Sequence, residues 1–176
     1  MRPRRVHVVG TSGSGKTTVA RAIADKLGIR HIELDAINWQ PGWVSLPKDQ
    51  FYERVKEETE HGDWTIDGNY GAVREIIWER VDTIVWLDMP FIPVFLRVLW
   101  RTIKRLLTRE VLWNTNKEGI GALLGKYSMP LWVIQTHKKR RDEYPPLLAD
   151  PALGHVDIKV FKSLGEVNAW IESLGE

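Results

Sequence analysis

Residues Gly10-Thr11-Ser12-Gly13-Ser14-Gly15-Lys16-Thr17 match the pattern G-x-x-x-x-G-K-[ST]. Glycines at this spacing let the backbone wrap tightly, so that successive N–H groups converge on phosphate oxygens. A helix starting where the loop ends adds the positive end of its dipole. Lys16 can reach the β- and γ-phosphates of a nucleoside triphosphate, and the Thr17 hydroxyl offers Mg²⁺ a hard oxygen. The candidate nucleotide-binding residues are therefore Gly10, Ser12, Gly13, Ser14, Gly15, Lys16, Thr17 and Thr18, and the implied ligands are ATP and Mg²⁺. Magnesium also needs a carboxylate. Asp35, Asp67 and Asp88 each close an apolar strand pattern, the end at which open α/β sheets bind ligands. Each also has an ordinary reading as a turn or cap residue.

A second set of residues suits phosphate chemistry. Arg97, Arg101 and Arg105 recur at i, i+4 and i+8, so they share one helical face, while Phe95, Val98, Leu99, Ile103 and Leu106 fill much of the other. Phosphoryl transfer asks a protein mainly for positioning and charge stabilisation. A planar guanidinium binds phosphate through two parallel N–H bonds. Arg97 and Arg101 thus join Lys16 as candidate catalytic residues, with Arg97 also a nucleotide contact. Arg105 and Arg109 serve either phosphate or solvent, the solvated reading being at least equal to the other. Lys138, Lys139, Arg140 and Arg141 form a later cluster that serves either phosphate or solvent.

The positioning elements follow from periodicity. Strand patterns at Val6–Gly10, His31–Asp35, Trp64–Gly68, Thr83–Asp88 and Asp157–Phe161 alternate with helical patterns at Thr17–Leu27, Pro47–His61, Val73–Val81, Phe91–Thr108, Pro130–Tyr144 and Leu164–Leu174. Gly28 is a natural helix stop, Pro41-Gly42 a turn, and Pro145-Pro146 a helix breaker. Residues 109–128, with Gly119, Gly121 and Gly125, read as a pliable excursion. Alternating strands and helices predict a parallel sheet covered on both faces with right-handed crossovers, an α/β fold.

These motifs resemble the nucleoside-monophosphate-kinase type of P-loop protein, related to adenylate and shikimate kinases. Asp67-Gly68 after the third strand and Asp88-Met89-Pro90 before a helix with Arg97 and Arg101 add to the phosphate loop. Where adenylate kinases carry Asp-Gly-aromatic-Pro-Arg, this chain has Asp67-Gly68-Asn69-Tyr70-Gly71, keeping the Asp-Gly and not the Pro-Arg. The chain is also similar, over nearly its whole length, to the adenylate-kinase-related DNA topology modulation (FlaR-type) proteins. Leu34-Asp35-Ala36-Ile37-Asn38-Trp39, Gly42-Trp43, Trp64 to Tyr70, Trp86-Leu87-Asp88, Arg97-x-x-x-Arg101 and Asn114-x-Asn116-Lys117-Glu118 carry that similarity. The resemblance implies a P-loop NTPase fold with a five-stranded parallel sheet in order 2-3-1-4-5. It also implies one domain over 1–176, an acceptor-binding insert at about 36–62 and a helical lid at about 108–140. By the same analogy Asp67 holds magnesium through water, Arg97 and Arg101 approach the adenine and the phosphates, and Asp35 faces the acceptor.

The acceptor is less legible. A hydroxyl acceptor calls for a nearby carboxylate to take its proton, a task for Asp35, whereas a phosphate acceptor calls for arginines, of which the region offers Arg54 and Arg74. Trp39 and Trp43 either stack on a ring or pack the insert against the sheet, the latter favoured. Trp86 and Trp170 read as core. His7, His31, His61, His137 and His155 show no metal spacing and receive no role.

The 176 residues, with 43% hydrophobic, suit one domain with a sizeable core. The lack of cysteine excludes a disulfide scaffold, a thiolate zinc site and cysteine nucleophilic chemistry. No signal-peptide core follows the basic N-terminus and no apolar run is long enough to span a membrane, so the expected location is cytoplasmic. Net charge is +2 overall, yet residues 97–141 carry 11 basic and 2 acidic side chains. That segment suits a phosphate-bearing small molecule or a nucleic acid. The expected function is an ATP-dependent kinase acting on a nucleoside monophosphate or other small metabolite. The alternatives are an ATP-binding regulator of DNA topology that uses 97–141 on nucleic acid, and an ATP-binding protein without transfer activity. The absence of a DNA-reading motif favours the kinase.

Overall fold

The computed structural model describes residues 2–125 and 128–174. Residues 126 and 127 of the expected excursion, with Met1 and the last two residues, lie outside the described residues. The element order is β1 (Arg5–Gly10), α1 (Lys16–Leu27), β2 (Arg30–Glu33), α2 (Leu34–Asn38), β3 (Trp39–Gln40), β4 (Val44–Ser45), α3 (Lys48–Glu60), β5 (Trp64–Asp67), α4 (Gly71–Trp78), β6 (Thr83–Leu87), α5 (Phe91–Thr108), α6 (Gly121–Leu124), α7 (Met129–Leu148), β7 (Asp157–Phe161) and α8 (Leu164–Ser173). Short 3-10 turns at Trp113–Thr115 and Pro151–Leu153 complete the chain.

Five strands form one parallel sheet in the order β2-β5-β1-β6-β7. Counting only the long strands, this is the expected 2-3-1-4-5. The remaining pair, β3 and β4, is a small antiparallel ribbon around the Pro41-Gly42 turn. Because strand side chains alternate, β1 sends Val6 and Val8 into one core cluster with α1, α5 and α8, and Val9 into the other with α3, α4 and Tyr144 of α7. β6 is buried at every position, as its unbroken apolar run predicts.

Two expectations fail for identifiable reasons. β2 ends at Glu33, and Asp35 lies inside the one-turn helix α2 rather than on a strand. Pro145 and Pro146 do not end α7, which runs on to Leu148. Two prolines cost a helix hydrogen bonds and steric fit. The extra turn, however, buries Leu148 beside Tyr144 on one face, and Ala149 N closes it on Pro145 O at 3.1 Å.

Candidate functional site

The loop between β1 and α1 sits at the carboxyl end of the central strand. Gly10, Gly13 and Gly15 take φ of +146°, +82° and +100°. Gly13 is the tightest point: an added Cβ would overlap Val98 Cγ2 and lie 3.1 Å from the Val94 carbonyl oxygen. The loop is therefore pressed against α5. The first residue before α1 is Gly15, no side chain caps the helix, and its first turn holds no acid. Its free N–H groups are left for an anion. Among the described residues the buried hydroxyls of Thr11 and Ser14 have no hydrogen-bond partner, which fits a cradle built for phosphate oxygens.

Lys16 Nζ donates to Thr11 O at 3.2 Å. Burial holds its ammonium below the usual pKa, while Asp67 and Asp35 pull it back up. The Thr17 hydroxyl donates to Asp67 Oδ2 at 2.7 Å. This fixes its proton and leaves the oxygen lone pairs free to face a cation. Asp67 is only 3% exposed, paired in register between Val8 of β1 and Glu33 of β2. Its other oxygen lies 2.8 Å from His31 Nε2. Among the described residues no cluster of three His, Asp or Glu side chains could hold a metal by itself. Thr17 and Asp67, both hard oxygen donors beside the cradle, fit Mg²⁺ shared with phosphate and water.

Of the remaining candidates, Ser12 lies half-buried and Thr18 exposed. Arg97 donates to Ser14 O at 3.4 Å and so touches the loop. Burial lowers its pKa and, with Arg105 adding, that of Arg101; Glu118 and Asp35 pull Arg101 back up. Among the described residues Arg101 Nε has no hydrogen-bond partner. Asp35 accepts a short hydrogen bond from Tyr70 OH, and burial first, then Asp35, push that phenol well above its usual range.

Several sequence readings change. Arg105 is not solvated: it binds Glu118 at 2.8 Å and lies 3.7 Å from Glu110. Arg109, in the left-handed region and exposed, is. Asp88 forms an ion pair with Arg141 at 2.7 Å, and Arg140 and Arg74 both bind Glu143. Trp39 and Trp43 do not pack the insert against the sheet. They pack edgewise on each other, and Trp43 also packs edgewise on Trp113 of the excursion. Trp43 Nε1 donates to Lys117 O at 3.0 Å, Asn116 Nδ2 to Gln40 O at 2.9 Å, and Asn114 Nδ2 to Trp39 O. Segment 109–118 is thus fastened to segment 36–43. Trp86 is core as expected and Trp170 rests half-buried on Phe161.

Sequence reasoning missed His31, Asn69, Tyr144 and Glu118. Asn69 spans Gly10, receiving from its N–H at 3.2 Å and donating to its carbonyl, and Tyr144 OH donates to Asn69 Oδ1 at 2.9 Å. The departure Asn69-Tyr70 is therefore what braces the loop and Asp35. Only the i, i+2 spacing of His31 and Glu33 on β2 could have hinted at His31.

The sheet order and the loop define an α/β fold of the P-loop NTPase type. The family described as "ATPase family associated with various cellular activities (AAA)" matches residues 6–68. The chain is 30% identical over 109 residues to a shikimate kinase of Persephonella marina, covering 53% of this chain and 66% of that one. It is 38% identical over 74 residues to a cytidylate kinase of Thermosipho africanus, covering 38% of this chain and 33% of that one. The chain thus spans less than two thirds of these relatives. The solved structure of a shikimate kinase from Acinetobacter baumannii, in complex with shikimate, superposes with a TM-score of 0.58 at 18% identity, over 97% of this chain and 90% of that one. Among the described residues no helix is long and apolar enough to cross a membrane.

Proposed function

We propose that this chain is an ATP-dependent phosphotransferase that moves the γ-phosphate of ATP to a nucleoside monophosphate or another small metabolite, acting in the cytoplasm. The observation that carries the reading is the Thr17–Asp67 contact at 2.7 Å beside Lys16 and an uncapped helix start. Relatives that are kinases support it. So does the sequence resemblance to adenylate-kinase-related proteins, including the narrower one to DNA topology modulation proteins.

In this reading the acceptor oxygen attacks the γ-phosphorus, the bond to the bridging oxygen breaks, and ADP leaves. Mg²⁺, when bound, neutralises charge on the phosphates. Gly10 to Gly15, with Thr18 at the helix start, hold the triphosphate through backbone N–H groups. Lys16, Arg97 and Arg101 stabilise charge on the moving phosphoryl group. Their partial burial strengthens that interaction. Asp35 takes the proton of a hydroxyl acceptor, steered by Tyr70. Residues 36–62 serve as the acceptor insert and 108–140 as the lid. Closing the lid excludes water that would otherwise hydrolyse ATP. The pairing of Arg105, Arg140 and Arg141 with carboxylates leaves fewer free cations for DNA, which supports a small acceptor over a nucleic acid.

The test is a panel of nucleoside monophosphates and hydroxylated metabolites with Mg-ATP, read as ADP release. One acceptor should raise turnover well above the hydrolytic background. Silence across the panel together with salt-dependent binding to duplex DNA would replace this reading with the nucleic-acid one.

A further inference from the structure

β2 and β5 run side by side with His31 opposite Thr65 and Glu33 opposite Asp67. Ile32, Trp64 and Ile66 share one core cluster, so alternation sends His31, Glu33, Thr65 and Asp67 to the other face, the one that meets Thr17 of α1. There the Asp67 carboxylate is almost fully buried and meets donors from two different elements. The Thr17 hydroxyl donates to Oδ2 at 2.7 Å, and His31 Nε2 lies 2.8 Å from Oδ1. The last torsion of an aspartate is broad, so its rotamer does not fix the plane of the carboxylate. Donors at both oxygens do.

We infer that His31 is a positioning residue: its Nε2–H holds Asp67 in the plane that turns Oδ2 toward the Thr17 hydroxyl and toward a cation shared with the triphosphate. The inference rests on the reading of Thr17 and Asp67 as the magnesium side of a phosphotransfer site, and it adds the residue that aims them. An ionised carboxylate only accepts, so the imidazole nitrogen facing it carries the proton. That proton is present in one neutral tautomer and in the charged ring alike, so the role does not depend on the charge of His31. Carboxylates beside a metal are held by outer partners of this kind, and loss of such a partner weakens metal affinity about 10–100-fold. The sheet itself does not need the bond. The ladder already joins β2 to β5 from Arg30 to Glu33, and the imidazole, 15% exposed, reaches past its own register partner Thr65 to the carboxylate that the site uses.

The test follows magnesium without turnover. A fluorescent ATP analogue is held below saturation, Mg²⁺ is titrated and the half-saturating concentration is read, with the affinity for the analogue in EDTA as the metal-free reference. His31→Met, apolar and of similar length, and His31→Asn, polar but too short to reach Asp67, should each raise the half-saturating Mg²⁺ concentration about tenfold or more while the metal-free affinity stays at the parent value. His31→Gln, whose amide NH₂ falls where Nε2 lies, should restore the parent titration. In an Asp67→Asn background His31→Met should add nothing further, because it acts through that carboxylate. Melting curves without ligand set a temperature at which every variant is folded. A parent that does not bind the analogue, or binds it equally with and without Mg²⁺, overturns both this inference and the magnesium reading beneath it. A parent that responds to Mg²⁺ while His31→Met and His31→Asn titrate as it does overturns this inference alone. So does a lowered melting temperature as the sole change, a His31→Gln variant that restores nothing, or losses that add in the double variant.

Discussion

Replacing Gly13 with alanine adds a methyl group that overlaps Val98 Cγ2 and sits 3.1 Å from the Val94 carbonyl, with φ at +82°. Gly28, which closes α1, has a similar φ of +69° but nothing within 4 Å of an added Cβ. The pair separates two costs. A left-handed conformation costs an L-residue about 1–2 kcal/mol, and both variants incur it. Overpacking adds about 1–3 kcal/mol, and only Gly13→Ala incurs that. Urea denaturation followed by tryptophan fluorescence should therefore show Gly28→Ala losing about 1–2 kcal/mol and Gly13→Ala about 2–5 kcal/mol. Gly13→Ala should also bind Mg-ATP more weakly, because relief of the clash moves the loop off α5. Gly28→Ala should bind as the parent does. Equal destabilisation by the two substitutions, or unchanged Mg-ATP affinity in Gly13→Ala, would refute the close packing of loop on helix.

Further outcomes are expected. Lys16→Ala should lower phosphoryl transfer by about 10²-fold or more in a coupled ADP assay while the circular dichroism melt stays intact. Asp67→Asn should raise the half-saturating Mg²⁺ concentration about tenfold or more, since the Thr17 hydroxyl loses a charged anchor. Arg101→Met should leave thermal stability equal or higher, because a buried guanidinium with an unpartnered Nε is exchanged for an apolar side chain, yet lower kcat/KM by about 10²-fold or more. Burial holds the His7 imidazole, between Gly68 O and Trp78 Nε1, down to about 4 from 6.5. The unfolded chain therefore binds the extra proton first. The stability that neutral His7 contributes is fully present above pH 6.5 and falls by about 3 kcal/mol as pH drops to 4. Equilibrium unfolding across that range should show a slope that His7→Gln flattens.

The stretch from Arg5 to Leu27 is legible in the sequence because a β-branched run, a glycine loop and 3.6-residue apolar spacing each act locally. The five parallel strands follow from the same periodicity, and their order follows from the family resemblance. Asp35 is misplaced by such reasoning because a one-turn helix leaves no period to detect; tertiary contacts, Tyr70 on Asp35 among them, hold it. The Pro145-Pro146 signal is overridden by burial of Leu148, a long-range gain that local propensity does not contain. His31 and Glu118 are invisible for a related reason. Each acts through a partner brought near by the fold: Asp67, 36 residues away, for His31, and Arg105 across the excursion for Glu118.

The most direct test of the central claim is titration calorimetry of Mg-ATP into the purified chain. The account predicts saturable 1:1 binding that weakens when Mg²⁺ is removed and is lost or strongly reduced in Lys16→Ala. A folded protein that gives no heat with Mg-ATP or Mg-GTP, or a Lys16→Ala variant that binds as tightly as the parent, would contradict it.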